Sequence, residues 1–418
     1  MSRTDRAVAE ELDRADPLAA YRDRFVAPEP DLIYLDGNSL GRLPKTTAAV
    51  LAEAVSEQWG RGLIRSWEHW IELAQSIGDE IAAGIVEAEP GEVVVSDSTT
   101  VNLYKLAVAA LDARPGRRVL LCDDDNFPTD SYVFQALAAA RDLELRVIPT
   151  DLDAGLSTAD VIEALDTDVA LASFSHVAYR SGALADLAAV TAAAHDVGAL
   201  TLWDLSHSGG SIPVPLRSAG VDLAVGCTYK YLCGGPGAPA YLYVRHELQD
   251  QLRQPIWGWF GQRDQFAMSG RYDAAPGITS FLVGTPPVLS MLGAREGVRV
   301  VADAGLEALR AKGMALTSYL VELADAWLVP LGFRLASPRE AERRGSHVTL
   351  HHSDAWRICR ALIDRRVVPD FRTPDRLRLG PAPLTTSYAE VWDGLDRLRR
   401  LVEDGVHESY ADSRSRVT

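Results

Sequence analysis

Between about residues 92 and 245 the chain alternates short, almost uniformly apolar runs with longer segments whose apolar positions recur at helical spacing. The runs Val93–Val95, Arg117–Cys122, Leu143–Pro149, Asp168–Phe174, Ala199–Asp204, Asp222–Thr228 and Ala240–Arg245 predict strands. Val101–Leu111, Ser131–Asp142 and Ala185–Val197 predict helices. Strands that are apolar at successive positions are buried on both faces, so the pattern predicts an α/β fold: a mostly parallel sheet flanked by helices. Beyond about residue 295 the pattern changes. A long helical stretch, Gly305–Leu328, leads into a strand-like His347–His352, a helix Trp356–Arg366, a strand Arg376–Gly380 and a helix Tyr388–Glu403. This strand-poor part predicts a smaller α+β domain. The expected division is 1–50 packing with the small domain through one short strand, Leu32–Leu35, then a large domain over 51–295 and the small one over 296–418. Ala411–Thr418, mostly polar and charged, is expected to fray.

A chain of 418 residues can bury a large core. Its net charge of −16 argues against nucleic acid and anionic membrane surfaces as partners. No apolar run reaches the ~18 residues of a membrane span. Ser2–Arg24 mixes Arg with Asp and Glu around no apolar centre, unlike a signal peptide. Cys122, Cys227, Cys233 and Cys359 are scattered, mostly within apolar runs, and read as reduced core thiols of a cytoplasmic protein.

The chemistry concentrates at strand ends. Lys230 stands between Tyr229 and Tyr231, after the apolar run Val221–Gly226 and before Gly234-Gly235-Pro236-Gly237. Desolvation makes such an amine nucleophilic toward aldehydes. Upstream, Asp204 closes another apolar strand. A Schiff-base lysine and a strand-end carboxylate are what pyridoxal 5'-phosphate (PLP) needs: one holds the aldehyde, the other keeps the pyridine nitrogen protonated. Taken singly, each has a plainer reading, as a solvated lysine and a turn or capping aspartate. A phosphate cup is expected at Ser96–Thr100, where a strand ends, a helix opens and hydroxyls meet free N–H groups, although an N-cap alone uses the same residues. Phe127, in Asn126–Asp130, stands at a sheet edge where an aromatic can lie on a pyridine ring, or simply staple a helix start.

In order along the chain, Tyr34–Gly41, Ile64–Trp67, Thr99–Leu103, Phe127–Asp130, Asp204–Ser208, Tyr229–Leu232, Gly258–Gly261 and Arg378–Pro381 resemble the kynureninase family of fold-type-I PLP enzymes. The resemblance covers nearly the whole chain. It implies a homodimer with active sites at the interface and hydrolysis of the Cβ–Cγ bond of L-kynurenine to anthranilate and L-alanine, within tryptophan catabolism or NAD biosynthesis. Lys230 is then the Schiff-base residue, Asp204 the partner of the ring nitrogen and His207 its neighbour. Thr99 and Thr100 match the phosphate contacts, Phe127 the stacking aromatic, and Asp130 and Ser175 further cofactor contacts. Tyr229 matches a tyrosine that touches the phosphate and transfers protons, and Trp259 and Thr285 match positions that reach the site across the dimer. Arg378 matches the clamp on the substrate carboxylate, with Asn38 also on the substrate side. Relatives that prefer 3-hydroxykynurenine tend to carry His and Asn where this chain has Trp67 and Thr285, so 3-hydroxy-L-kynurenine is expected to be the poorer substrate.

Two rivals stay open: another PLP enzyme of the same superfamily, such as a cysteine desulfurase or aminotransferase, and a non-enzymatic PLP-binding regulator. The regulator normally needs a fused DNA-binding module, which the acidic charge does not support. No metal is expected. His351 and His352 alternate across a strand, Asp123–Asp125 reads as an acidic strand-end loop, and neither zinc spacing nor a Walker loop is present.

Overall fold

The computed structural model describes residues 3–412, so most of the stretch expected to fray lies outside it. The strands are β1 (Ile33–Tyr34), β2 (Val93–Val95), β3 (Val119–Asp123), β4 (Glu144–Ile148), β5 (Val169–Ser175), β6 (Leu200–Asp204), β7 (Leu223–Gly226) and β8 (Tyr241–Val244). They continue with β9 (Arg334–Leu335), β10 (Val348–His351), β11 (Val367–Val368), β12 (Asp370–Arg372) and β13 (Arg376–Leu379). The chain forms a seven-stranded sheet in the order β2-β8-β7-β6-β5-β3-β4. Within it β8 alone runs against its neighbours, β2 and β7, and the other pairings are parallel. The expected parallel sheet is therefore present, with one reversed strand. β2, β3 and β5 to β8 are buried almost throughout, as uniform apolar runs require. β4 is the exception. It lies at the sheet edge, and Glu144 and Arg146 bond to each other in partial contact with water.

A second sheet, antiparallel in the order β12-β13-β10-β9, carries the C-terminal part, and β1 pairs in parallel with β11. Two hydrophobic clusters follow. One surrounds the seven-stranded sheet; the other joins Leu316–Leu401 with Ala9, Ile33 and Leu35 from the start of the chain.

Two helices begin slightly earlier than their apolar periodicity predicts, whereas Leu187–Asp196 begins two residues after the expected Ala185. Thr99–Asp112 starts at the polar threonines, capped by Ser98, and Pro128–Arg141 starts with Pro at its first position. Residues of a first turn need no apolar face, so periodicity does not register them. Two glycines let other elements approach the stretch after β7. A Cβ on Gly41 would lie 2.2 Å from the Lys230 carbonyl oxygen, and one on Gly297, in the helix Val288–Ala304, would lie 1.9 Å from that of Leu232. The Gly41 N–H donates to the Tyr229 carbonyl at 2.9 Å. The backbone around Lys230 is thus gripped from both sides.

Candidate active site

The C-terminal ends of β3, β6 and β7 and the start of the helix Thr99–Asp112 meet around a cavity of about 190 Å³. Its wall brings together Thr99, Thr100, Phe127, Asp130, Asp204, Tyr229 and Lys230, residues far apart in the chain. Ligands of open α/β sheets bind at such strand ends. Ser98, Thr129 and Ser206 complete the polar wall, while Ala238 and Ala240 leave room.

Lys230 is 9% exposed, and its Nζ lies 3.3 Å from His207 Nε2 and 5.8 Å from the ring centres of both Phe127 and Tyr229. Burial, then the Lys230 charge, pushes the His207 imidazole well below its ordinary basicity, so it is neutral. Asp204 ends β6, and its Oδ1 accepts the Ser206 N–H at 2.8 Å. Asp130 is 2% exposed; burial, reinforced by the charge of Asp204 and opposed by Lys230, holds its carboxyl well above the usual range. Asp130 therefore favours its protonated form. Burial likewise pushes the Tyr229 phenol up, keeping it protonated.

The arrangement suits a phosphorylated aromatic aldehyde. A helix N-terminus with adjacent hydroxyls can take the phosphate, Phe127 offers a ring face, acids reach the ring edge, and Lys230 supplies the amine. Size does not select the site: a groove of about 740 Å³, bordered by Asp151, His176, Asp186 and Glu342, contains neither lysine nor a phenylalanine, tyrosine or tryptophan.

Other expected residues lie outside this cavity. Ser175 sits one layer behind, paired in register with Asp204, and its hydroxyl donates to Asn126 Oδ1 at 3.0 Å. Arg378 is 1% exposed in a cage: Nη1 donates to the Tyr179 carbonyl at 2.7 Å, Nη2 to Ser39 Oγ at 2.8 Å, and Nη2 also pairs with Asp370. With its amide oriented oxygen-inward, Asn38 accepts from Arg378 Nε at 2.8 Å. Asp36, beside this cage, has its carboxyl raised to about 6 by burial and by Asp370. Trp67 and Thr285 share a different cavity, with Trp59, Trp70, Pro286 and Pro287, and within one chain they do not line the Lys230 site. Trp259 is 41% exposed, edge-on to Phe260 and Phe266.

Sequence reasoning missed Tyr179. Its ring stands edge-on to Phe127 at 5.3 Å while its carbonyl holds Arg378, so it joins the two halves of the site. No spacing signal announces it, because it lies in the irregular stretch after β5. Ser206 was discoverable, being enclosed by Asp204 and His207. The residues read as structural behave so: all four cysteines are free and buried, His351 pairs with Asp375, and Asp125 pairs with Arg180.

The fold is widely shared. An apo cysteine desulfurase from Thermococcus onnurineus NA1 superposes with a TM-score of 0.78 at 20% identity, covering 94% of this chain and 98% of that one. A C-DES mutant with glycine covalently linked to its PLP cofactor gives 0.80 at 18% identity, covering 90% and 98%. At such identities the likeness establishes the fold, not the reaction. Residues 309–398 match the family model described as the kynureninase C-terminal domain. Kynureninase from Pseudomonas fluorescens is 41% identical over 400 residues, and that from Burkholderia pseudomallei (strain K96243) is 42% identical over 400, each alignment covering 94% of both chains. With that identity sustained from end to end, the chain belongs to the kynureninase family.

Proposed function

We propose that the protein is a PLP-dependent hydrolase that cleaves the Cβ–Cγ bond of L-kynurenine, releasing anthranilate and L-alanine. The observation that carries this reading is the buried Lys230 amine in a cavity that also holds Asp204, Asp130, Phe127, Thr99 and Thr100. Family membership separates it from the desulfurase reading, which rests on fold alone.

Bound PLP supplies an electron sink conjugated to the substrate α-carbon. Lys230 would hold the cofactor through its amine, and that amine, when free, would take the proton from the substrate Cα. His207, neutral and 3.3 Å from Nζ, can accept a hydrogen bond from that amine and orient it. Asp204 would partner the ring nitrogen and keep it protonated, Phe127 would offer a face to the ring, and Thr99 and Thr100 would hold the phosphate. Ser175, through Asn126, steadies the strand end that carries this set. Arg378 orients the substrate carboxylate with its planar fork, and Asn38 fixes the guanidinium. Water is the co-substrate: its oxygen ends in the anthranilate carboxylate, while Tyr229, protonated through burial, delivers the proton that completes alanine at Cβ.

The same reading includes a homodimer. Trp59, Leu63, Ile64, Trp257, Phe266 and Met268 are each 58% or more exposed, an unusual display for a monomer. In a dimer Trp259, Trp67 and Thr285 would border the partner's cavity, and the indole of Trp67 would leave a ring hydroxyl without an acceptor, disfavouring 3-hydroxy-L-kynurenine. No helix among the described residues is long and apolar enough to cross a membrane.

Incubating the PLP-loaded protein with L-kynurenine and following anthranilate fluorescence tests the reaction. Borohydride reduction followed by peptide mass mapping tests the anchor. Label on a lysine other than Lys230, or no anthranilate, would refute the assignment.

A further inference from the structure

His347 immediately precedes β10, is fully buried, and has two ring nitrogens that make no hydrogen bond. A buried donor or acceptor without a partner is costly, and a ring of carbon atoms would fill the same space without that cost. The position of the ring shows where its polarity is usable. It packs against His207, with ring centres 5.6 Å apart, and His207 in turn touches Lys230 Nζ. It also faces the Tyr179 carbonyl outside hydrogen-bonding geometry, and that oxygen already accepts from Arg378 Nη1 at 2.7 Å. His347 therefore stands between the proposed cofactor lysine and the proposed carboxylate clamp, the two points that an α-amino acid must span. Burial, then the charges of Arg378 and Lys230, keeps the imidazole neutral, so it offers one N–H donor in a positive field that draws a carboxylate.

A close contact holds the ring there. Gly182 has φ +73°, and a Cβ on it would lie 2.7 Å from the His347 carbonyl oxygen and 3.2 Å from the ring. The Gly345 N–H donates to the Gly182 carbonyl at 2.7 Å, locking the two backbones together.

We infer that His347 is a further substrate-binding residue, whose N–H gains its hydrogen bond when the α-carboxylate of an amino acid occupies Arg378. The inference rests on the reading of Lys230 and Arg378 given above.

The test uses PLP-loaded wild type, His347→Phe and His347→Gln. L-Alanine is titrated against the visible cofactor band, KM and kcat are measured with L-kynurenine, and thermal melting is followed. His347→Phe keeps the ring and deletes both nitrogens. It is expected to melt at or above the wild-type temperature, keep the cofactor band, and weaken L-alanine binding and raise KM roughly tenfold or more, with kcat changed far less. His347→Gln, which retains an N–H, is expected to bind L-alanine more tightly than the Phe variant. Should His347→Phe fail to fold, His347→Leu carries the same expectation. Unchanged L-alanine binding and KM in the apolar variant overturn the inference, and loss of the cofactor band overturns it by placing the ring in the cofactor site. A wild type that shows no band strikes the reading of Lys230 itself and the inference with it, whereas a normal wild type with an equally normal apolar variant strikes the inference alone.

Discussion

Arg378 and Asp123 show how differently buried charge is treated in one molecule. Arg378 is held in place by four acceptors, Tyr179, Ser39, Asn38 and Asp370, and keeps a planar fork that a lysine could not reproduce. Arg378→Lys is expected to raise KM for L-kynurenine roughly ten- to hundredfold, the loss of about 1.5–3 kcal/mol in charge-assisted bonding, and to leave PLP binding intact. Steady-state kinetics beside a cofactor titration decide this, and loss of PLP would move Arg378 to the cofactor site or to the fold. Asp123 lacks such a cage. Burial, with Asp125 adding repulsion, raises its carboxyl to about 7, against a usual value of about 4 in an unfolded chain. Between those values the folded state keeps a proton that the unfolded state has released, so the stability contributed by the neutral carboxyl falls as pH rises through that window. Asp123→Asn retains the oxygen that accepts the Asp125 N–H at 2.9 Å and removes the charge. The cofactor-free variant is expected to exceed wild type in stability near about pH 8, by up to about 4 kcal/mol, with the gap closing toward about pH 4. Denaturant melts across that range would show it, and a gap that widens toward acid would refute it. Motif residues such as Lys230, Asp204 and Phe127 were legible because each closes or follows an apolar run. Tyr179 and His347 were not, since their partners come from distant, irregular segments.

At the scale of elements, the inner strands of the large sheet were legible because burial on both faces writes itself as uninterrupted apolar residues. The helices Leu73–Gly84 and Val288–Ala304 were not recognised. They pack on each other, and the first also packs on β2, so small residues meet where a clean apolar stripe would be expected. Gly297 is the clearest instance. A methyl group there would press on the Leu232 carbonyl, which is backbone and cannot swing aside. Gly297→Ala is expected to destabilise the fold by on the order of 1–3 kcal/mol and to lower kcat by displacing the segment that carries Lys230. Melting temperature and turnover should fall together; a variant with wild-type values of both would show that the helix can shift without moving that segment.

Across the whole molecule, the proposed dimer would tie substrate choice to assembly, because Trp67 and Thr285 line a cavity apart from Lys230. Trp67→His combined with Thr285→Asn is expected to move the kcat/KM ratio toward 3-hydroxy-L-kynurenine by roughly ten- to hundredfold. Sedimentation should report a dimer for both proteins, and a wild type that already prefers the hydroxylated substrate would defeat the pocket argument. The guanidinium cage carries a different consequence. Ser39 and Arg378 bond across 339 residues of chain, and Asp36 bridges to Gly380 beside them. A ribosome-bound nascent chain can complete the seven-stranded sheet, together with the lysine and its acidic neighbours, long before the strand bearing Arg378 is synthesised. The lysine cradle and the guanidinium cage are therefore contributed by stretches made far apart in time, and a chain cut before Arg376–Leu379 would lack the proposed carboxylate clamp altogether.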